Sequence, residues 1–129
     1  MSVASALARG RTAALQLMVD SCRIERKTGS SFNEASGAVT EMWVEVYAGR
    51  CRVKGGSSGR DAQYGEGEVT LHRYEVRIPW DAVAEIKRCD RLTITASDDA
   101  WVIGRHLEVI DVTYTGTSTA RKISAEDRT

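Results

Sequence analysis

The sequence predicts a mainly β fold preceded by one helix, and three observations lead there. Through the first twenty residues Val3, Leu7, Ala14 and Met18 recur at helical spacing, with Arg9, Arg11 and Gln16 at polar positions. From residue 21 onward that period is lost, and short runs rich in β-branched and aromatic residues alternate with turn-forming clusters such as TGSSFNEASG and GGSSGRDAQYGEG. The length of 129 residues, with 42% hydrophobic and 28% charged side chains, suits one domain with its own core. We read residues 1–129 as that domain: a helix over 1–20, a β body over 21–126 with a flexible hairpin tip over 55–67, and a polar tail, 127–129, expected to fray.

Taken in order, the opening helix is amphipathic and weakened at Gly10. CRIER is a first short β run, and TEMWVEVYAGRCRV is a strand that alternates Met42, Val44, Val46 and Ala48 with more polar neighbours. EVTLHRYEVRIPW follows as a strand closed by Pro79, the one proline of the chain. DAVAEIKR predicts a two-turn helix with Asp81 as its N-cap. RLTITA, AWVI and HLEVIDVTYT predict three more strands, with Asp98 and Asp99 in a tight turn between the first two, and a last strand runs from Ala120 to Ala125.

The strand Thr40 to Gly56 changes face halfway along, because beyond Gly49 its apolar residues are Cys51 and Val53, on the opposite phase. The strand from Glu68 to Trp80 switches too, from Val69 and Leu71 to Tyr74, Val76, Ile78 and Trp80, with the change at His72 and Arg73. One antiparallel register satisfies both runs: Val44 faces Ile78, Val46 faces Val76, Ala48 faces Tyr74, Cys51 faces Leu71 and Val53 faces Val69. It also sets Glu45 opposite Arg77 and Lys54 opposite Glu68. The near half of this long hairpin then buries one face in the subunit's core. The far half is either a barrel corner curling at Gly49 or a protruding arm that packs on something else. The long Gly- and Ser-rich tip favours the arm.

Chemistry-bearing patterns are few. Eighteen basic and 18 acidic side chains cancel, which argues against a surface given over to nucleic acid. Cys22, Cys51 and Cys89 form no CxxC pair and signal neither a disulfide framework nor a zinc site, as expected of thiols in a reducing compartment. His72 and His106 have no metal-ligand spacing, and Asp98-Asp99 and Glu126-Asp127 read as solvated acids. GGSSG is not a nucleophile elbow, and KGGSSGR lacks the phosphate-loop spacing. No apolar run reaches the length of a membrane span, and Arg9 and Arg11 interrupt the opening stretch, so a protein made in the cytosol is expected. The expectation is a non-enzyme without cofactor or metal.

The far half of the hairpin carries the candidate contact residues: Arg50, Cys51, Arg52, Val53, Lys54, Arg60, Tyr64, Val69, Leu71 and His72. Arg50, Arg52 and Lys54 make a cationic row joined across the pair by His72, and Tyr64 sits at the tip. A small barrel binding single-stranded nucleic acid through this row and Tyr64 is the rival reading.

The order of parts resembles the small head-closure, or head–tail connector (stopper), proteins of long-tailed bacteriophages, most of all those of actinobacterial phages. The matching stretches are the Trp43 strand running into Ala48-Gly49-Arg50-Cys51, YEVRIP from Tyr74 to Pro79, Asp90-Arg91-Leu92, and GRHLEVIDV from Gly104 to Val112, within residues 20 to 126. Cys89 departs from the pattern, standing where a glycine commonly precedes the aspartate. The resemblance implies a small β-barrel that assembles as a homo-oligomeric ring of six copies below the portal and adaptor. That ring closes the DNA-filled capsid, offers the tail terminator or tail tube a docking surface, and holds DNA without reading its sequence. It implies a virion location, no catalysis and no cofactor; a tail-terminator or adaptor subunit is the neighbouring alternative.

Overall fold

The computed structural model describes residues 2–55, 62–64, 67–69 and 71–128, with backbone alone for 62–64, 67–69, 71 and 128. One helix, α1 (Val3–Gln16), precedes β1 (Asp20–Phe32), β2 (Val39–Gly55), β3 (Ala62–Tyr64), β4 (Gly67–Val69), β5 (Leu71–Pro79), β6 (Arg91–Ala96), β7 (His106–Val112) and β8 (Ala120–Arg128). Six strands form an antiparallel sheet in the order β1-β2-β5-β8-β7-β6, which closes on itself as a barrel. The mainly β expectation holds. β3 and β4 pair with each other as a separate ribbon that begins in the expected flexible tip and runs just past it, with Gln63 opposite Glu68. Most of the remaining tip lies outside the described residues.

Alternation builds the core. Cys22 and Ile24 of β1, Val76 and Ile78 of β5, Leu92 and Ile94 of β6, Leu107 and Val109 of β7, and Ile123 and Ala125 of β8 all point inward. β8 pairs with β5 on one side and β7 on the other, so its end is no tail. The expected fraying is corrected for 127 and 128, which lie in β8: Glu126 and Asp127 are about 5% exposed, and Asp127 accepts from Arg105 Nη1 at 2.7 Å, while 129 lies outside the described residues. Sequence polarity misled because these acids find partners in Arg73 and Arg105.

Two expected elements are absent, and in both an anchored side chain overrides local propensity. The stretch after Pro79 is a loop, with no helix capped by Asp81. A two-turn helix recovers little of its nucleation cost, whereas the observed loop buries Ile86 in the core and ties Lys87 N to Asp90 Oδ2 at 2.8 Å. AWVI is likewise a turn. Asp99 Oδ1 accepts from Trp101 N at 3.0 Å, Val102 drops into the core, and Gly104, at φ +83°, donates its N–H to Ile94 O at 2.8 Å.

The helix was expected over 1–20 and spans Val3–Gln16, with Ser2 Oγ capping Ser5 N. None of its residues is buried; the chain first enters the interior at Met18, just beyond the helix. Arg11 holds α1 to the barrel by donating to Ser118 O and Gly116 O, while its guanidinium lies 4.2 Å from the Trp80 ring. Arg121 stacks on the same ring at 3.8 Å, and Gly10 lets Thr119 approach so closely that a Cβ there would lie 2.7 Å from its methyl group.

The register inferred for β2 and β5 is corrected. Their pairing is antiparallel, as expected, but Val53 faces Val76 and Arg52 faces Arg77, so each β5 residue meets a β2 residue seven positions later than expected. Glu75 stands opposite Lys54, and Arg77 stands opposite a like charge. The reason is that β2 serves two neighbours in succession: β1 along Val39 to Cys51, and β5 along Arg52 to Gly55. Staggered ladders of this kind come with a closed, tilted sheet. The face change in β2 belongs to a β-bulge at Val46, which has no partner between the pairs Ile24–Tyr47 and Glu25–Glu45. After the bulge Tyr47, Gly49, Cys51 and Val53 face inward, and the Tyr47 ring folds over Gly49, where a Cβ would lie 3.1 Å from its hydroxyl.

Candidate interaction surface

Among the described residues, β1 beyond Glu25 and β2 before Arg52 pair only with each other as strands. The outer part of this pair is an arm that leaves the barrel, closed at its end by Asn33 N–H donating to Ala38 O and Gly37 N–H to Asn33 O. A protruding arm was foreseen, but at the other end of β2. The residues assigned to the core, Met42 and Val44, stand on the arm, while Cys51 is fully buried and Val53 packs against the core.

The arm is decorated unlike an ordinary solvated hairpin. Phe32 is 63% exposed, Val39 64%, Met42 54% and Val44 48%, which places two exposed apolar side chains on each face of the ribbon. Phe32 and Val39 face each other across the ribbon near its end, and Met42 and Val44 lie on the other face with Arg26. On the Phe32 side, Lys27 Nζ reaches Glu41 Oε1 at 3.1 Å, with both side chains about half exposed. Such a surface pair contributes about 0 to 1 kcal/mol.

The arm's base is fixed by charge. Arg26 grips Asp90 with two bonds, Nε to Oδ1 at 3.0 Å and Nη2 to Oδ2 at 2.9 Å, and donates to Glu85 O at 2.8 Å. Trp43 lies under the Arg91 guanidinium at 3.9 Å, and Arg91 Nη2 reaches Glu25 Oε1 at 3.2 Å. Between arm and barrel Lys27, Glu41, Trp43, Asp90 and Arg91 edge an open groove of about 350 Å³, shared with Cys89, His106 and Glu108. His106 Nδ1 is hydrogen-bonded with Thr93 Oγ1 at 2.8 Å. Among the described residues no group of three His, Cys, Asp or Glu side chains is arranged to hold a metal ion.

Cys89, exposed beside this groove, has φ +74°, which disfavours any side chain, and its N–H donates to Val109 O at 2.8 Å. Cys89→Gly is therefore expected to raise stability by about 0.5 to 1 kcal/mol, read as a higher denaturant midpoint at unchanged slope. A lower midpoint would mean that the thiol makes a contact outweighing the strain.

The sequence-derived contact residues separate in the structure. Arg50 caps the C-terminal end of α1, donating to Leu15 O at 2.8 Å and Met18 O at 3.2 Å, where a cation also suits the helix dipole. Arg52 and Lys54 are half-buried on the outer face of β2, and His72 is exposed opposite Asp127. Val53 N donates to Asp20 Oδ2 at 3.2 Å, inside the subunit. Tyr64 and Val69 fall in the β3–β4 ribbon and Leu71 opens β5, with side chains outside the described residues, as is the whole of Arg60. The Cys22 thiol is pushed far up from its ordinary value by its hydrogen bond with Cys51 and by burial, which removes it as a nucleophile. Sequence reasoning missed the arm, although its signal was present: CRIERKTGSSF and AVTEMWVEV flank NEASG as a hairpin does.

The fold is similar to the solution structure of protein SF1141 from Shigella flexneri 2a, a structural genomics target, with a TM-score of 0.52 at 18% identity, covering 85% of this chain and 92% of that one. At that identity the likeness concerns the fold alone. No curated protein matches the chain. A family model described as "Family of unknown function (DUF6093)" matches residues 10–126.

Proposed function

We propose, for a chain that belongs to this family of unknown function, a structural role at the head–tail junction of a long-tailed phage: a non-enzymatic, ring-forming head-closure subunit. The reading joins two supports. One is the order of motifs between residues 20 and 126, which resembles that of phage stopper proteins. The other, which carries the proposal, is the β1–β2 arm, whose exposed Phe32, Val39, Met42 and Val44 are costly for a lone soluble subunit and useful to one that assembles.

In this role the small barrel is the rigid body of each subunit and the arm is what it offers to others. The junction ring sits in the virion, between the portal or adaptor on one side and the tail terminator or tube on the other, and passes DNA without reading its sequence. Neither turnover nor a cofactor enters. Seating a ring on preformed partners asks for apolar projections and a barrel that keeps its shape.

The test is genetic and visual. Blocking expression of this chain during phage growth is expected to leave packaged heads that lose their DNA beside unattached tails in electron micrographs. Tails of uncontrolled length on sealed heads would move the role to tail termination. Normal virions would overturn the proposal, and so would tight, salt-sensitive binding of the isolated monomer to short oligonucleotides.

A further inference from the structure

The arm has two bare backbone edges. β6 leaves β1 at the pair Glu25–Arg91, and β5 first meets β2 at Arg52–Arg77, so among the described residues no strand lies against residues 26–32 or residues 39–50 on their outer sides. Proteins blunt such edges with proline, lysine, bulges or a covering segment. The β2 edge has little of this: residues 39–46 read VTEMWVEV, without proline or cation and with one bulge, at Val46.

The two edges are opposite in charge. Residues 26–32 carry no acid, and their cations are Lys27 and Arg26, the latter engaged by Asp90, whereas residues 39–46 carry Glu41 and Glu45 and no base; Lys27 and Glu41 also pair within each copy. Two like edges repel each other and unlike edges attract, which disfavours a two-fold contact and favours a head-to-tail one. Direction agrees with charge. β1 runs out along the arm and β2 runs back, so copies standing side by side with arms aligned bring β1 of one beside β2 of the next in antiparallel sense.

We infer that the arm is the self-assembly element of this protein: the β1 edge of one copy pairs with the β2 edge of the next, and the arms of a closed ring form one continuous antiparallel barrel. Each copy supplies two strands, and closure leaves no bare edge. The inference rests on the ring of the proposed function and names the surface that builds it.

Charge reversal between copies tests it, using the purified full chain as wild type, Lys27→Glu and Glu41→Lys. The wild type is expected to form oligomers as concentration rises, with hydrogen exchange slowing at arm amides. Each variant alone should associate on the order of tenfold more weakly. An equal mixture should regain wild-type association, because the reversed charge of one variant then meets the reversed charge of the other at alternate contacts. The Lys27–Glu41 contact inside each copy is lost in both variants, so recovery in the mixture reports contact between copies alone. A wild type that stays monomeric at its highest soluble concentration, a mixture no better than its components, or slowed exchange lying outside the arm would overturn the inference. Oligomers built through the arm by a chain whose loss leaves virions normal would instead sink the head–tail reading and leave the pairing standing.

Discussion

Replacing residues 28–42 with Asn-Gly should give a folded monomer that no longer assembles. Lys27 and Trp43 already face each other across the ribbon, so a two-residue turn closes the shortened hairpin in its present register. Nothing removed belongs to the buried core cluster, which passes from Ile24 directly to Cys51. Trp43 keeps its stack on Arg91, and the Lys27–Glu41 surface pair is the one ion pair that goes. Thermal unfolding should shift by a few degrees at most, since the losses amount to about 1 kcal/mol. Sedimentation at high concentration should show monomer alone, and under the proposed head–tail role the shortened chain should fail to restore virions when supplied in place of the wild type. An unfolded product would show that the arm is part of the folding unit. Intact assembly would show that the working surface lies elsewhere.

The second large effect is expected at Asp90, a buried acid in the loop before β6. Its side chain is 3% exposed and holds Arg26 by two bonds and the Lys87 amide by a third. Asp90→Ala strips the counter-charge from Arg26 and leaves the Lys87 N–H without its acceptor. Removing one partner of a buried pair costs 3 to 5 kcal/mol, and with 32% of the Arg26 side chain still in water the low end, about 3 kcal/mol, is expected. Asp90→Asn keeps an acceptor for Lys87 and should lose less. Equilibrium denaturation of the three chains gives the ranking, and equal stability of wild type and Asp90→Ala would show that the grip of Arg26 contributes nothing net. Because Arg26 sits where the arm leaves the barrel, exchange at arm amides should also rise in Asp90→Ala.

How much of this was legible beforehand depended on how local each cause was. The opening helix and the strands around Val76, Leu92, Val109 and Ile123 follow from periodicity and side-chain type, and the structure has them. The partner of a strand is another matter. Alternation in β2 fixes which residues share a face between bulges, but it does not say that one strand leaves β1 and joins β5 at Arg52; that comes from the stagger of the closed sheet. An apparent matched switch in β2 and β5 therefore produced a wrong register, although both alternations were real. The missed loops share a cause. DAVAEIKR and AWVI look like helix and strand until Ile86 and Val102 find the open ends of one core, where burial outweighs propensity. Of the candidate surface, the cationic row was visible as a row, but not the use of Arg50 as a helix cap, which requires knowing that the end of α1 comes beside β2.

The seam between β1 and β6 sets the tempo at which this chain finds its shape. Ser21 lies beside Ala96 and Glu25 beside Arg91, residues far apart along the chain, whereas β1–β2 and β6–β7 are hairpins that form locally. Joining distant strands pays for loop closure before any contact rewards it, which places folding in the slow millisecond-to-second class of non-local β topologies. Until the seam shuts, the inner edge of β1 is as bare as its arm. A copy with this seam open would present one continuous bare edge along β1 to other chains.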